Sequence, residues 1–454
     1  MKIVVAGTGF SSILCINYLV NLGLKPVVLD VGNEIGEKEK IILKKKALAR
    51  QKNLDNFRTL GGLSSVWTGV INKYLDDDFT DWPINKNEFN NYYDEVFENL
   101  NNSETYSFYS SSKDDLLNYQ LRAQENTLKN EIYNNKKISI KYVSLLLNKL
   151  DISKKKINNY SGFHAFKIKG IVQDFIKKSK IEYRKEKIMK LWENNNQVTI
   201  ETVDITNKRK KVVCDYLFLG CGTISTYLVM KNSIANFDKS LKIKSTKQIV
   251  MPVKFKNLMD FKNKFFNAFP IFQMNVEKFG NCSIYTQISN LNTTIVNYFF
   301  PKLKNFKRYY FFLQLFKNYG LSYSNLGNNF CDQFIIDDQN NLKVYETKYK
   351  MSEILNIYQN LFDKNLLNGQ FFHYKIPIKM KPLSGNYFGS VFPMSKFKKS
   401  FFNSDRFGRI GNFKKISITD SSIFTKLSAM PPTLTILANS LRITKEVHKL
   451  NFFN

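Results

Sequence analysis

The sequence predicts an α/β protein in which a parallel sheet, assembled from separated pieces of the chain, is joined to a region of mostly antiparallel strands. Three observations predict it. The N-terminal MKIVVAGTGFSS reads as strand, glycine turn and helix start. The segment CDYLFLGCGTIS, residues 214–225, repeats that pattern far along the chain. Between residues 247 and 385, the segments IVMPVKF, FPIFQMNV, CSIYTQIS and TTIVNYFF alternate in the manner of strands with one face on a cavity.

The first element is Ile3 to Ala6, a short β-branched apolar run suited to a buried parallel strand. Gly7, Gly9 and Ser12 then occupy the positions of G-x-G-x-x-small, with Phe10 and Ser11 inside the turn. The first glycine permits the tight turn, the second lets the backbone approach a pyrophosphate, and the third position needs a small residue where helix crosses strand. Ile13, Ile16, Tyr18, Leu19 and Leu22 follow at helical spacing, and Gly23 can cap the end. A second strand, Pro26 to Leu29, ends in Asp30, whose carboxylate can accept hydrogen bonds from a ribose. With strand, helix, second strand and acid in register, a dinucleotide-binding unit of Rossmann type is expected rather than a bare glycine turn. The unit by itself does not choose between NAD and FAD.

Residues 36–52 are charged and predict a solvated loop or helix. FRTLGGLSSVWTG, residues 57–69, suits neither helix nor strand; its Gly61, Gly62, Ser64, Ser65, Trp67 and Thr68 suit a backbone that closes on a flat ligand, or an ordinary surface loop. A helix is expected after Pro83, with Phe89, Tyr92, Tyr93, Val96 and Phe97 on one face. Residues 101–160 are polar and predict an insertion or flap. Strands are expected at 181–185, 188–193, 197–203 and 211–219, the last ending in Gly220, Cys221 and Gly222 before a helix from Ile224 to Met230. Residues 304–320 mix bases and aromatics and predict an amphipathic core helix, with an interfacial patch as the alternative.

Composition bounds the function. A chain of 454 residues, 43% hydrophobic, can bury a large core and holds two or three domains. The net charge of +30 invites a nucleic-acid partner, but the bases are spread along the chain among Asn, Tyr, Phe and Ile, which disfavours one. A basic face resting on an anionic membrane, or reading an anionic substrate, fits better. The five cysteines form no C-x-x-C and there are three histidines, so no zinc site or disulfide framework is expected and a reducing cytoplasm is the default. A strand beginning at Lys2 or Ile3 leaves no room for a signal peptide, and no apolar run is long enough to span a membrane.

Four separated motifs together resemble the glucose–methanol–choline (GMC) oxidoreductase superfamily, which includes cholesterol oxidase. GTGFSS with Asp30 resembles its first βαβ unit, LGGLSSVWTG with WPINKNEFNNYY its second flavin segment, DYLFLGCGTISTYLVMKNS its later strand and helix, and ISITDSSIFTKLSAMPPTLTILANSLRI its C-terminal signature. The resemblance implies FAD as cofactor. It implies a discontinuous FAD-binding domain over residues 1–75, 165–246 and 395–454, a helical or flap insertion at 76–164, and an α+β substrate domain with a mostly antiparallel sheet at 247–394. By the same resemblance Gly7, Gly9 and Ser12 would hold the pyrophosphate and Asp30 the adenosine ribose. Gly61, Gly62, Ser64, Ser65, Trp67 and Thr68 would line the phosphate and flavin side, and the Ile188 backbone the adenine. Gly220 and Gly222 would lie close to the cofactor, with Cys221 between them. Asp420 and Ser421 would sit at the ribityl or pyrophosphate region. Pro432, Thr433 and Thr435 would open a helix near the flavin carbonyl, where its N-terminus stabilises the negative charge of reduced flavin.

The resemblance departs at the chemistry. The family places a His, the base that takes the hydroxyl proton, in the stretch that here reads SGNYFGSVFPM, with Asn386, Tyr387 and Phe388 and no His. The second polar partner is replaced by Pro431. Tyr387, beside Asn386, could act as acid or base, although an unperturbed phenol is a poor base at neutral pH; His373 could reach the site from a neighbouring strand, or be a core or surface histidine; or alcohols are not oxidised in the family's way. His164 and His448 have weaker claims, and Cys15 and Cys221 suit small apolar fillers. The expectation is an FAD-dependent oxidoreductase acting on a C–OH group of a small, sugar-like or lipid-linked substrate, with an unidentified electron acceptor. The rivals are an FAD-binding protein without alcohol oxidation, a membrane-surface flavoenzyme, and an NAD(P)-dependent dehydrogenase.

Overall fold

The computed structural model describes residues 1–32, 59–65, 67, 69–101, 106–109, 130–133, 136–142, 145–148, 166–194, 197–255, 272–279, 282–290, 319–339, 341–348, 352, 356, 371–373, 382–385, 387–397 and 400–450. Among them are a seven-stranded mixed sheet, a seven-stranded antiparallel sheet, a four-stranded sheet and a two-stranded ribbon.

The mixed sheet runs in the order Ile416–Ile418, Tyr216–Leu219, Ile3–Ala6, Val27–Asp30, Glu182–Asn194, Gln197–Asp204 and Arg209–Cys214. The first five strands are parallel and the last two turn back as an antiparallel meander. IVVA and YLFL are buried along their whole length, which is why each is a continuous apolar run rather than an alternating one. The parallel strands therefore come from the first thirty, the central and the last forty residues of the chain, as the sequence predicts.

Two strand expectations change. The segments 181–185 and 188–193 form one strand, Glu182–Asn194, with a register shift between Ile188 and Lys190. The first part pairs with the parallel sheet and the rest with the meander, so one strand serves two partners. Conversely, 211–219 is broken at Asp215. The Lys2 N–H donates to the Asp215 carboxylate at 2.7 Å and the Asp215 N–H to the Lys2 carbonyl at 2.9 Å, and the chain changes sheet partners there.

Helices pack on this sheet and on one another. Ile13–Asn21 follows the glycine turn and ends before Gly23, whose φ of 78° needs glycine. Lys86–Asn101 buries Phe89, Tyr93, Val96 and Leu100, with Tyr92 and Phe97 half-buried at the edge of the same face. Thr223–Ser233 starts behind Gly222, one residue earlier than the sequence suggests. Thr433–Lys449 begins after the Pro431–Pro432 pair, and neither proline needs an N–H donor in that position.

The antiparallel sheet runs Phe371–His373, Lys247–Phe255, Tyr319–Leu326, Cys282–Asn290, Phe272–Phe279, Lys136–Tyr142, Asn130–Tyr133. The strand reading of IVMPVKF, FPIFQMNV and CSIYTQIS holds over these bounds; TTIVNYFF lies outside the described residues, as do 36–52. Of 304–320 only Tyr319 and Gly320 are described, and they are strand. The four-stranded sheet runs Leu342–Tyr345, Asp332–Ile336, Ile243–Ser245 and Phe388–Gly389, with Phe388–Gly389 at its edge. No helix among the described residues is long and apolar enough to cross a membrane. Among the described residues no group of His, Cys, Asp or Glu could hold a metal ion.

Candidate functional site

The glycine turn is built by close backbone approach. Gly7 has φ 89°, and a Cβ there would stand 2.5 Å from the Gly220 carbonyl oxygen. A Cβ on Gly220 would in turn meet Ser12 Oγ at 2.3 Å and Thr419 Oγ1 at 2.8 Å. The two strand–glycine–helix units thus touch through their glycines. Ser11 and Ser12 bind the joint: Ser11 Oγ donates to the Gly220 carbonyl at 2.8 Å and Ser12 Oγ to the Ala6 carbonyl at 3.1 Å. Their hydroxyls face protein; what this turn offers to a ligand is backbone N–H and the positive end of a helix.

Asp30 closes the second strand. Its Oδ2 accepts from Thr8 Oγ1 at 2.8 Å and its Oδ1 from Gly32 N–H at 2.6 Å. Burial pushes its carboxyl up to about 6, against the Thr8 and Gly32 hydrogen bonds. Thr8 Oγ1 also accepts from Gly61 N–H at 2.9 Å. One hydroxyl therefore ties the 59–65 loop to Asp30, and a Cβ built on Gly62 would sit 3.4 Å from Gly9 Cα.

Within the second loop, Ser64 Oγ donates to the Gly61 carbonyl at 2.7 Å and accepts from Ile168 N–H at 3.0 Å. Ser65 Oγ accepts from Thr59 Oγ1 at 3.3 Å. Trp67 packs edge-on against Phe10 at 4.6 Å between ring centroids and donates Nε1–H to the Phe166 carbonyl at 2.7 Å. Thr68 lies outside the described residues. Ile188 sits at the register shift of the long strand, buried. Cys221 is half-buried between Gly220 and Gly222, while burial pushes the Cys15 thiol up to about 12, which leaves it inert at neutral pH.

Asp420 follows the strand Ile416–Ile418. Its Oδ2 accepts from Thr226 Oγ1 at 2.5 Å, its Oδ1 accepts from Ser422 N–H at 2.9 Å, and burial raises its carboxyl. Asp420 thus fastens the 420–424 segment to the Thr223–Ser233 helix. Ser421 Oγ and Thr223 Oγ1 both donate to the Phe388 carbonyl, at 2.7 and 3.0 Å. Sequence reasoning missed Thr223 and Thr226, which follow the glycine turn but resemble ordinary helix residues.

At the start of the last helix, Thr433 is half-buried and Thr435 Oγ1 is 2.7 Å from the Tyr93 phenol, which also accepts from Tyr74 N–H at 3.1 Å. Pro431 and Pro432 are buried.

Tyr387 is half-buried and shares a hydrogen bond with Asn325; burial raises its phenol above the ordinary range. The segment that carries it is fixed from two sides. Thr246 N–H donates to the Tyr387 carbonyl at 3.1 Å, and Asp332 Oδ2 accepts from Leu383 N–H at 2.9 Å. Asp332 itself is paired with Lys247 at 3.1 Å in the interior. Leu383 and Ser390 take φ of 58° and 56°, an unusual conformation for non-glycine residues that the surrounding bonds hold in place. Asn386 lies outside the described residues, and so do His164 and the His373 side chain; the backbone of His373 pairs with Val253. His448 stands far off, at the end of the last helix, 2.8 Å from the Tyr18 phenol.

The antiparallel sheet presents two unlike faces. On one, Asn275, Tyr285, Asn325 and Gln248 lie in register across four strands, as do Gln273, Gln287 and Tyr323 across three. On the other, Met274, Thr286, Ser324 and Ile249 make the corresponding row. The amide and phenol face meets the 69–75 segment: Asn72 Nδ2 donates to Gln273 Oε1 at 2.9 Å and to the Tyr285 phenol at 3.1 Å. Period-2 patterning identified these strands but not that their polar face is buried.

No protein-family model matches the chain, and no curated protein matches it in sequence. In structure it is similar to pyridoxine 4-oxidase from Mesorbium loti, with a TM-score of 0.61 and 10% identity over 99% of each chain. It is likewise similar to an FAD-dependent oxidoreductase from Chaetomium thermophilum, with a TM-score of 0.60 and 11% identity over 99% of each chain. The chain has the α/β fold, with added antiparallel sheets, that the GMC resemblance implies.

Proposed function

We propose that this chain, which has the fold of GMC oxidoreductases, binds FAD and oxidises a C–OH group of a small molecule. The observation that carries the reading is the convergence on Thr8: its hydroxyl joins Asp30 and Gly61, two distant motifs that both belong to FAD recognition in the resemblance. The residues fit such a ligand. Gly7 lets the turn close on Gly220, Gly9 leaves open space beside the backbone, the Ile13–Asn21 helix brings its positive end to the same turn, and Asp30 can accept from a ribose. Asp420, Ser421, Pro432, Thr433 and Thr435 lie on the segments that would flank the ring. Bound FAD supplies the hydride acceptor.

Tyr387 stays protonated at neutral pH because burial raises its phenol, so it donates to or orients a substrate oxygen rather than removing its proton. That observation, with the buried Pro431, favours a second reading in which the chain binds FAD without oxidising alcohols by the family's base.

Purification and anaerobic titration test both readings. A yellow protein whose flavin is bleached by an alcohol supports the first. A yellow protein that no alcohol in a broad panel bleaches supports the second, and a colourless one that takes up no added FAD removes both.

A further inference from the structure

We infer that the loop carrying Phe397 and Phe401 docks this protein on an anionic lipid surface, with the exposed rings entering the headgroup layer and the neighbouring lysines meeting its negative charge. The inference concerns the outer surface and does not depend on the proposed FAD chemistry. Residues 396–415 read KFKKSFFNSDRFGRIGNFKK, with seven lysines or arginines against one acid, and five phenylalanines among them. Phe397 is 78% exposed and Phe401 46%. A single exposed apolar residue is ordinary. Two exposed aromatic rings on one basic loop have the make-up of an interfacial anchor.

The base of the loop is fixed to the core. Ser395 N–H donates to the Ser404 carbonyl at 2.9 Å, and Ser404 N–H to the Pro393 carbonyl at 3.1 Å. Ser404 Oγ, fully buried, donates to the Phe392 carbonyl at 2.8 Å. Nearer the tip, Ser395 Oγ donates to the Phe397 carbonyl at 2.5 Å. Phe402 turns inward, its ring 5.3 Å from that of Phe237. Phe401 lies over Gly411, where a Cβ would stand 2.4 Å from its ring. Interior packing thus takes up Phe402 and leaves Phe397 to the outside.

The division of the cations points to lipid. Arg406 pairs with Glu446 and Glu88, and Arg409 with Asp405. Both arginines, whose planar forks suit nucleic-acid phosphates or a protein partner's carboxylates, are engaged inside the fold. Lys396 and Lys414 are exposed, and the sequence adds Lys398 and Lys399 beside Phe397. Ammonium groups act as point charges and suit a fluid field of anionic headgroups. Two rings also cover far less than the roughly 1,000 Å² that a specific protein interface needs. A lipid surface asks only for an inserted apolar tip with positive charge around it.

The experiment co-sediments the purified chain with vesicles of phosphatidylcholine, alone or mixed with phosphatidylserine. Binding to the mixed vesicles is expected to be about tenfold stronger and to fall as salt is raised. Phe397→Ser is expected to weaken it about tenfold at an unchanged thermal midpoint, and Lys396→Glu about fivefold. Two comparison variants carry the same chemistry elsewhere. Ile205→Ser removes an apolar residue that is 72% exposed, and Lys211→Glu reverses another exposed lysine; each is expected to change binding less than about twofold. Phe397→Trp is expected to shift its added emission to the blue with mixed vesicles only. Equal losses in the comparison variants would show attraction by net charge alone and overturn the inference. So would an unshifted Trp emission, tighter binding to polyuridylate than to vesicles through Phe397, or self-association abolished by Phe397→Ser in a chain that binds no vesicles.

Discussion

The Thr8 hydroxyl stands 2.8 Å from Asp30 Oδ2 and 2.9 Å from the Gly61 nitrogen, so one small side chain in the glycine turn couples two segments that meet only in the fold. Thr8→Val keeps the shape and removes the coupling. Its affinity for FAD is expected to fall about tenfold, equivalent to about 1.4 kcal/mol, with about 1–3 kcal/mol of stability lost as well because Gly61 N–H is left unpaired in the interior. Titration of apoprotein with FAD by fluorescence quenching measures it; unchanged affinity would separate Thr8 from cofactor binding.

Gly7→Ala tests the backbone joint. The new methyl would lie 2.5 Å from the Gly220 carbonyl oxygen at a φ of 89°. The variant is expected to lose about 2 kcal/mol or more of stability. Gly23→Ala, where φ is 78° but nothing lies within 4 Å, carries only the conformational part and is the comparison in urea unfolding.

Asp78 gives a pH signature. It is buried beneath the loop leading to Pro431, accepting from Ser428 Oγ at 2.7 Å and Leu75 N–H at 3.1 Å, and burial pushes its carboxyl up from 3.8 to about 6. The folded state therefore holds this proton to higher pH than the unfolded chain does. Stability falls as pH rises through the window from about 4 to 6, by about 3 kcal/mol at most from this group. Asp30 acts in the same direction. Asp78→Asn is expected to gain stability relative to the parent across that window and then hold the difference to pH 8. A difference independent of pH would refute the burial argument.

Lys247 and Asp332 form an interior ion pair whose carboxylate also fastens Leu383. Lys247→Met leaves that carboxylate without its cation and is expected to cost about 3–5 kcal/mol. Lys247→Met combined with Asp332→Leu is expected to recover part of this in thermal unfolding. If the segment from Leu383 to Ser390 depends on the pair, the double variant recovers stability without recovering substrate turnover.

Tyr387→Phe separates orientation from proton removal. Flavin content is expected to stay intact and flavin reduction to slow about tenfold, as for loss of one hydrogen bond. The pH profile should keep its shape, because a phenol that remains protonated contributes no ionisation at neutral pH. Loss of the limb over which activity rises with pH would instead identify Tyr387 as the base.

The strand–turn–helix–strand unit at the N-terminus was legible because its requirements are local. A buried parallel strand, a glycine where φ is 89°, and an acid at the end of the next strand each leave a mark within a few residues. Asp420 and Ser421 were legible only through the family signature, since their partners Thr226 and Thr223 lie nearly two hundred residues earlier. The split at Asp215 was hidden because CDYLFL continues an apolar run while the chain changes partners. The amide face was hidden for a different reason: alternation distinguishes two faces of a strand but equates polar with exposed, and here Gln273 and Tyr285 are fully buried.

The strand Ile416–Ile418 flanks Tyr216–Leu219, and Ser440 Oγ in the last helix donates to the Ser11 carbonyl at 2.8 Å. On a ribosome, the opening strand and its glycine turn emerge long before the polypeptide that covers them. Apolar surface of the Ile3–Ala6 unit is therefore covered only once residues 416–449 have been added, and removal of the last helix is expected to loosen the glycine turn.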